Sequence, residues 1–146
     1  MATVRTSIDI AASPDRVWEL VTDLARLDEW VSIHRDFPTP PPSDVSEGTS
    51  FAQTLSVAGT PFAVNWTATE VAGPERLSWQ GTGPAGATAH TTYSPAPSGD
   101  GTRFDYDNEF KLPAGKVGEA VSSVVSGQAE SEANESLARL KALAEA

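Results

Sequence analysis

The feature that most constrains the fold is an alternation of side chains between residues 49 and 112. Five stretches in this part of the chain place mainly apolar or aromatic side chains at every second position, and turn-forming residues such as Gly73-Pro74 separate them. A period of two is typical of strands with one buried face. Short turns between such strands favour antiparallel neighbours. The pattern therefore predicts an antiparallel meander that forms one sheet.

The segments before this meander predict a strand, two short helices and a loop. Residues 3–10 alternate apolar and polar side chains, as a half-buried strand does. Ser13 can cap free amides and Pro14 suits the first helical turn, so a helix should begin here, with a break between two helices at Asp23. Residues 38–43 are nearly all proline, which cannot donate to a strand ladder and therefore indicates a loop.

The segment after the meander predicts one long helix. Apolar residues recur at helical spacing from residue 117 to residue 144 and include Val121, Val124 and Val125. At 1.5 Å per residue this helix is about 40 Å long, enough to cross a whole sheet. Gly127 costs about 1 kcal/mol relative to alanine inside a helix, so we expect it to permit a bend or a close contact. Glu132 is assigned to the polar face.

Composition and charge exclude several classes of function. Twenty acidic residues oppose ten basic ones, a net charge of −10, which repels nucleic-acid phosphates and anionic headgroups. There is no cysteine, so disulfides and thiolate metal sites are excluded. No segment approaches the roughly 18 apolar residues of a membrane span, and no signal peptide is apparent. We expect a cytoplasmic protein with no nucleic-acid partner and no integral membrane association; docking to a basic partner protein is the alternative explanation of the acidity.

Five motifs in order resemble one known family. They lie at residues 8–18, 21–30, 75–79, 101–104 and 137–141. In this order they resemble the START/polyketide-cyclase (SRPBCC, Bet v 1-like) superfamily across nearly the whole chain.

The resemblance implies an α+β helix-grip fold and one START-like domain over residues 1–146. In that fold a curved antiparallel sheet of six or seven strands surrounds a long C-terminal helix, with the element order strand, two helices, strand meander and helix. Family members keep a pocket for lipids, steroids, hormones or polyketides between sheet and helix. Residues 29–35 also resemble an actinobacterial subgroup in which one member has been proposed as the toxin of a toxin–antitoxin pair.

Candidate binding residues lie on the predicted inward faces of the strands. A buried polar group without a partner costs about 1–3 kcal/mol, so several on one concave surface suggest a cavity that holds water or ligand. The alternative is a filled core in which each group bonds to its neighbours. Given the pocket that the resemblance implies, the expected ligand-binding residues are Gln53, Trp66, Trp79, Thr91, Tyr93, Tyr106, Asn108, Val121, Val124 and Val125.

Catalytic and metal-binding signals are sparse. The two histidines, His34 and His90, are not in a metal-binding spacing, so we expect no metal and no cofactor. If the chain catalyses a reaction, Tyr106, Asn108 and His34 are the candidates for proton transfer; for His34 the alternative is a loop or capping role. The acidic residues at 105–109 share the outward face, which argues against paired-carboxylate catalysis.

Three functions remain open at this point. The first is a binding protein for a small hydrophobic or aromatic, lipid-like or polyketide-like ligand in an internal pocket. The second is a polyketide cyclase or dehydratase that uses the same pocket. The third is an interaction module, such as the toxin half of a toxin–antitoxin pair. A homodimer or a small protein partner also remains open. We prefer the first hypothesis, which predicts no enzymatic activity.

Overall fold

A computed structural model describes residues 2–57, 59–111 and 119–146, with side chains described for residues 3–57, 59–111 and 127–146. Within these residues seven strands form one antiparallel sheet in the order β1-β7-β6-β5-β4-β3-β2. The strands are β1 (Ala2–Ile10), β2 (His34–Asp36), β3 (Ser50–Val57), β4 (Thr60–Ala72), β5 (Arg76–Thr82), β6 (Thr88–Ser98) and β7 (Gly101–Lys111). The α-helices are α1 (Pro14–Thr22), α2 (Leu27–Trp30) and α3 (Glu119–Glu145), with 3-10 turns at Leu24–Arg26 and Pro84–Gly86.

This arrangement confirms the predicted helix-grip fold. The sheet curls around α3, which packs against β1, α1 and α2. Leu137 and Leu140 of α3 are fully buried in a core shared with Ile10, Leu20 and Phe104. Burying a leucine side chain stabilises the fold by about 1.5–3 kcal/mol, so these contacts hold helix and sheet together.

The start of α1 follows the predicted capping chemistry. The Ser13 hydroxyl accepts a hydrogen bond of 3.2 Å from the backbone amide of Arg16, and Pro14 occupies the first turn. Asp23 ends the helix, and a 3-10 turn then leads into α2. The predicted break between two helices is therefore confirmed at Asp23.

The loop around the proline run is also confirmed, but a short strand before it was missed. Residues 37–49 contain no regular helix or strand. Strand β2 has only three residues, and its register with β3 joins His34 to Leu55 and Asp36 to Thr54. Three residues are too few to show an alternation in sequence. The expectation of a loop or capping position for His34 is therefore wrong, because β2, which begins at His34, pairs with β3 and belongs to the sheet.

Of the two roles expected for Gly127 in α3, a bend stays a prediction, and a close contact is not found among the described residues. A Cβ atom at Gly127 would meet no heavy atom within 4 Å among the described residues, so no close contact requires the glycine. The helix runs through this position. Of the helices that the structure describes, none is long and apolar enough to span a membrane.

Candidate functional site

A cavity of about 210 Å³ lies between the concave face of the sheet and the helices. Aliphatic and aromatic side chains dominate its wall, and a few polar groups interrupt them. The lining residues are Val21, Leu24, Leu27, Val31, Ile33, Phe51, Gln53, Leu55, Val57, Phe62, Val64, Trp66, Trp79, Gly81, Gly83, Pro84, Ala87, Thr88, Ala89, Thr91, Tyr93, Tyr106, Asn108, Phe110, Lys111, Gln128, Ala129 and Glu132.

Strand register brings the polar wall residues together. Thr91 of β6 is directly opposite Trp79 of β5 on one side and Asn108 of β7 on the other. One step along the same face, Tyr93 is opposite Tyr106. Residues directly opposite one another in antiparallel strands have Cβ atoms about 4.5–5.5 Å apart. Alternation within each strand and pairing between strands therefore gather these side chains on one wall.

The seven sheet residues that the sequence predicts to bind a ligand all line this wall. They are Gln53, Trp66, Trp79, Thr91, Tyr93, Tyr106 and Asn108. Their contact with a ligand stays a prediction. Val121, Val124 and Val125 lie outside the residues whose side chains the structure describes. Of the three candidates for proton transfer, Tyr106 and Asn108 line the cavity, whereas His34 is not among the lining residues and lies at the sheet edge next to Gln53.

One wall of the cavity carries a chain of three hydrogen-bonded side chains. The indole N–H of Trp66 donates to Gln53 Oε1 at 3.0 Å, and Gln53 Nε2 is 2.8 Å from His34 Nδ1. Gln53 is only 4% exposed, so these two hydrogen bonds replace the bonds to water that its amide loses on burial. The ring of Trp66 also lies close against Gly81, where a Cβ would be 2.7 Å from Cζ3 of the indole. The glycine is thus what allows Trp66 to lie flat against β5.

Another part of the same wall carries a second polar pair. The hydroxyl of Thr91 donates to Asn108 Oδ1 at 3.0 Å, and Thr91 is buried. The Asn108 side chain also forms a hydrogen bond that lowers the pKa of Tyr106, although burial has the larger effect. The expected cavity and the alternative of locally paired groups are therefore both present, because paired polar side chains line an open space.

Aromatic packing fixes the two tyrosines. Their rings are stacked with centroids 5.9 Å apart, and the edge of Trp30 meets Tyr93 at 5.8 Å. Burial raises the pKa of Tyr106 to about 12 and the pKa of Tyr93 further still. Both phenols are therefore neutral at physiological pH and act as uncharged hydrogen-bonding groups.

The sequence interpretation missed the contribution of α3 residues Gln128 and Glu132. Glu132 was assigned to the polar face, but it lines the cavity and is only partly exposed. Burial raises its pKa, and the Gln128 amide opposes this by donating a hydrogen bond of 3.4 Å. The sequence did hold one sign that Glu132 lines the cavity. It lies between Ala129 and Ala133, at the border of the apolar stripe of α3.

Charged groups on the convex face of the sheet are separate from the cavity. His90 lies there, opposite Glu109 in the register of β6 and β7. Asp107 is paired with Arg5 at 2.9 Å and Asp105 with Arg103 at 3.1 Å, so the acidic residues of β7 point outward as expected. In the described parts of the chain, no group of three His, Asp or Glu side chains is arranged to hold a metal ion.

Comparisons with known proteins agree with this geometry. The family model for "Polyketide cyclase / dehydrase and lipid transport" matches residues 1–145. A Mycobacterium tuberculosis protein named as a toxin is 28% identical over 127 residues, which cover 86% of this chain and 88% of that protein. A Thermus thermophilus structure superposes with a TM-score of 0.78 at 20% identity and covers 95% of this chain and 94% of that one. A START superfamily protein from Mycobacterium smegmatis gives a TM-score of 0.74 at 17% identity, with 98% and 99% of the chains covered.

Proposed function

Because the chain belongs to the polyketide cyclase/dehydrase and lipid transport family, we propose that its 146 residues act as one domain that binds a small, mainly apolar molecule between the sheet and α3. The observation that carries this proposal is the cavity itself. Its wall is mostly aliphatic and aromatic, and it contains a few polar groups in defined positions. Small-molecule sites combine these two properties.

The size of the cavity favours a compact ligand. An engineered protein cavity of about 150 Å³ accommodates benzene, and pockets for drug-sized ligands begin near 300 Å³. At about 210 Å³ the cavity lies between these values. It therefore suits a molecule of one or two fused rings better than a lipid with two acyl chains.

The polar groups favour a neutral ligand with one hydroxyl or similar group. Tyr106 offers an uncharged O–H, and Asn108 still has amide donors after accepting from Thr91. Glu132 places a carboxyl group in the same wall, and the protein carries a net charge of −10, so both disfavour an anionic ligand. Lys111, the one basic side chain in the described lining, is exposed at the end of β7.

Naphthalene and 2-naphthol test this proposal, because they differ only in one hydroxyl group. Each should quench tryptophan fluorescence and raise the melting temperature. A ligand at one hundred times its Kd stabilises the folded state by about 2.7 kcal/mol. For a chain of this size that corresponds to about 5–10 °C. 2-Naphthol should bind more tightly than naphthalene if the polar wall contributes.

A matched pair of variants separates cavity binding from surface adsorption. Ala89→Phe fills the cavity from β6, whereas Ala63→Phe adds the same ring to the exposed face of β4. We expect the first variant to lose both probes and the second to bind them like the wild type. Equal binding by both variants, or no binding by the wild type, would refute the proposal.

The enzymatic alternative is less well supported by the cavity. His34 is not among the lining residues, and the raised pKa of Tyr106 makes its phenol a poor base near neutral pH. Of the acid–base groups left in the described lining, Lys111 is exposed at the end of β7, and Glu132 is partly buried with a pKa raised by burial. A cyclase or dehydratase activity would therefore depend on Glu132, and Glu132→Gln would abolish it while leaving 2-naphthol bound.

The relative named as a toxin supports the second alternative, an interaction module. Such a module needs no ligand in the cavity. It would be favoured if neither aromatic probe bound and if production of the protein in its own host arrested growth. Growth arrest that persisted in Ala89→Phe would separate that activity from the cavity.

A further inference from the structure

The hydrogen-bonded chain of His34, Gln53 and Trp66 has a direction that is fixed by its last member. An indole N–H can only donate, so the group that faces it must be an acceptor. The carboxamide oxygen of Gln53 therefore faces Trp66, at 3.0 Å. Its NH₂ group then faces His34 Nδ1 at 2.8 Å, and an amide nitrogen also only donates. Nδ1 must accept, so His34 is neutral and carries its proton on Nε2.

A protonated His34 cannot be accommodated by this chain. Both ring nitrogens of an imidazolium are donors, so two N–H groups would face each other between His34 and Gln53. If the Gln53 amide rotates by half a turn, its oxygen accepts from the protonated His34. Its NH₂ group then faces the indole N–H of Trp66. Either orientation leaves one buried contact between two donors.

Two features of the surroundings decide how strongly His34 resists protonation. The negative charges of Asp28 of α2 and Asp36 of β2 favour the charged form of the imidazole, whereas β3 contributes no charged residue. Burial acts in the opposite direction and is the larger influence, so the pKa of His34 lies below its ordinary value. The ring is also packed against Phe37, with centroids 4.6 Å apart.

We propose that the His34–Gln53–Trp66 chain makes the cavity wall acid-sensitive, so that protonation of His34 releases Trp66 from its hydrogen bond and weakens ligand binding. Gln53 and Trp66 both line the cavity, and this connects the protonation of their neighbour His34 to the shape of the site. The part of this inference that concerns affinity rests on the proposed function; the part that concerns the wall does not.

The sign of the effect follows from linkage. Because the folded state disfavours the imidazolium, the unfolded chain binds this proton more readily. The contribution of His34 to stability is therefore complete above the ordinary histidine pKa of about 6.5 and is lost as the pH falls through the lower value in the folded state. Ligand binding involves only folded states and needs the intact wall, so it should weaken as the pH falls through the pKa of His34 in the folded protein.

An NMR titration of the ligand-free protein tests the chain directly. The protein has two histidines, and His90→Gln assigns their ring signals. Trp66→Phe removes the donor that fixes Gln53, which can then turn its oxygen toward a protonated His34. We expect the pKa of His34 to rise in this variant and to stay unchanged in Trp79→Phe, which alters a wall aromatic outside the chain. An unchanged pKa in Trp66→Phe would overturn the inference.

A second variant keeps the test decisive if Trp66→Phe disturbs the fold. Gln53→Glu replaces the amide with a group of the same shape that accepts at both oxygens. The carboxylate of this variant can accept hydrogen bonds from Trp66 and from a protonated His34 at the same time. The folded protein should then favour the charged form of His34 over the neutral form, and the pKa of His34 should rise above its ordinary value. A pKa that stayed low in Gln53→Glu would contradict the proposed orientation of the chain.

Naphthalene binding tests the consequence for affinity, because this probe has no titratable group. Between about pH 8 and a pH about one unit below the His34 pKa that the NMR titration gives, we expect its Kd to rise about threefold to tenfold, the effect of losing one neutral hydrogen bond. His34→Gln retains an acceptor without titration and should abolish this change, whereas His90→Gln should retain it. A pH-independent Kd in the wild type would overturn the inference and leave the proposed function intact. No binding at either pH would overturn the proposed function together with the affinity half of the inference, while the NMR titration would still decide the acid sensitivity of the wall.

Discussion

Replacing Asn108 with leucine tests how much the hydrogen bond between Thr91 and Asn108 contributes to stability. Asn108 accepts a hydrogen bond of 3.0 Å from the hydroxyl of Thr91, and Thr91 is 5% exposed. Leucine has a similar volume but no acceptor, so the substitution leaves the buried hydroxyl of Thr91 without its hydrogen-bond partner. A buried polar group that loses its partner costs about 1–3 kcal/mol. For a chain of this length we expect a fall in melting temperature of about 2–4 °C for each kcal/mol.

A double-mutant cycle with Thr91→Val isolates this hydrogen bond. When both partners become apolar, no polar group remains unpaired, and the pair of substitutions can be nearly neutral. Urea unfolding followed by circular dichroism gives the free energy of unfolding for the wild type, both single variants and the double variant. We expect an interaction energy of about 0.5–2 kcal/mol, with the double variant more stable than Asn108→Leu alone.

Two results would refute the reasoning behind this prediction. Single-variant losses that simply add would show that Thr91 and Asn108 do not depend on each other. A loss below about 0.3 kcal/mol in Asn108→Leu would show that the Thr91 hydroxyl finds another partner in the cavity. In either case the Thr91–Asn108 hydrogen bond would not account for the stability of this wall, although a loss of the preference for 2-naphthol over naphthalene in Asn108→Leu would still identify Asn108 as a ligand contact.

The remaining predictions use simpler readouts. The pKa of Tyr106 is raised to about 12 and that of Tyr93 is raised further, so phenolate absorbance should be small near pH 11 until the protein unfolds. Stability should fall as the pH rises from about 10 toward 12. Full ionisation of both tyrosines near pH 10 in the folded protein would contradict their burial. Gly127→Ala should raise the free energy of unfolding in urea by about 0.5–1 kcal/mol, because a Cβ has open space in a helix; a loss would mean that the glycine has another role. Gly81→Ala should lower the free energy of unfolding by about 1–3 kcal/mol and shift the tryptophan emission, because its Cβ would be 2.7 Å from the Trp66 ring; an unchanged spectrum would show that the indole does not lie where the structure places it.

The predictable part of the site came from the strands. Period-two alternation assigned Gln53, Thr91, Tyr106 and Asn108 to inward faces, and all four line the cavity. Alternation works here because a strand points successive side chains to opposite faces whatever its neighbours are. Glu132 was misassigned because the edge of a helical stripe depends on how the helix is rotated against the sheet, which its own sequence does not set.

Hydrogen-bond partners were beyond the reach of sequence patterns. Thr91 and Asn108 are 17 residues apart, and His34 and Gln53 are 19 residues apart, so each pair exists only after the strands have taken their register. Strand β2 was missed for a related reason, since three residues carry no readable period and pairing with β3 alone makes them a strand.

The sequence by itself determined the order of the elements other than β2, the inward face of each long strand and the start of α1 at Ser13, because alternation, helical spacing and capping are local properties of the chain. Tertiary structure decided that the concave face encloses an open volume of about 210 Å³ rather than a filled core. It also decided that His34 is tied to Trp66 through Gln53. Cavity volume and hydrogen-bond direction depend on the distances between elements that are remote in sequence, and those distances are set by the curl of the sheet around α3.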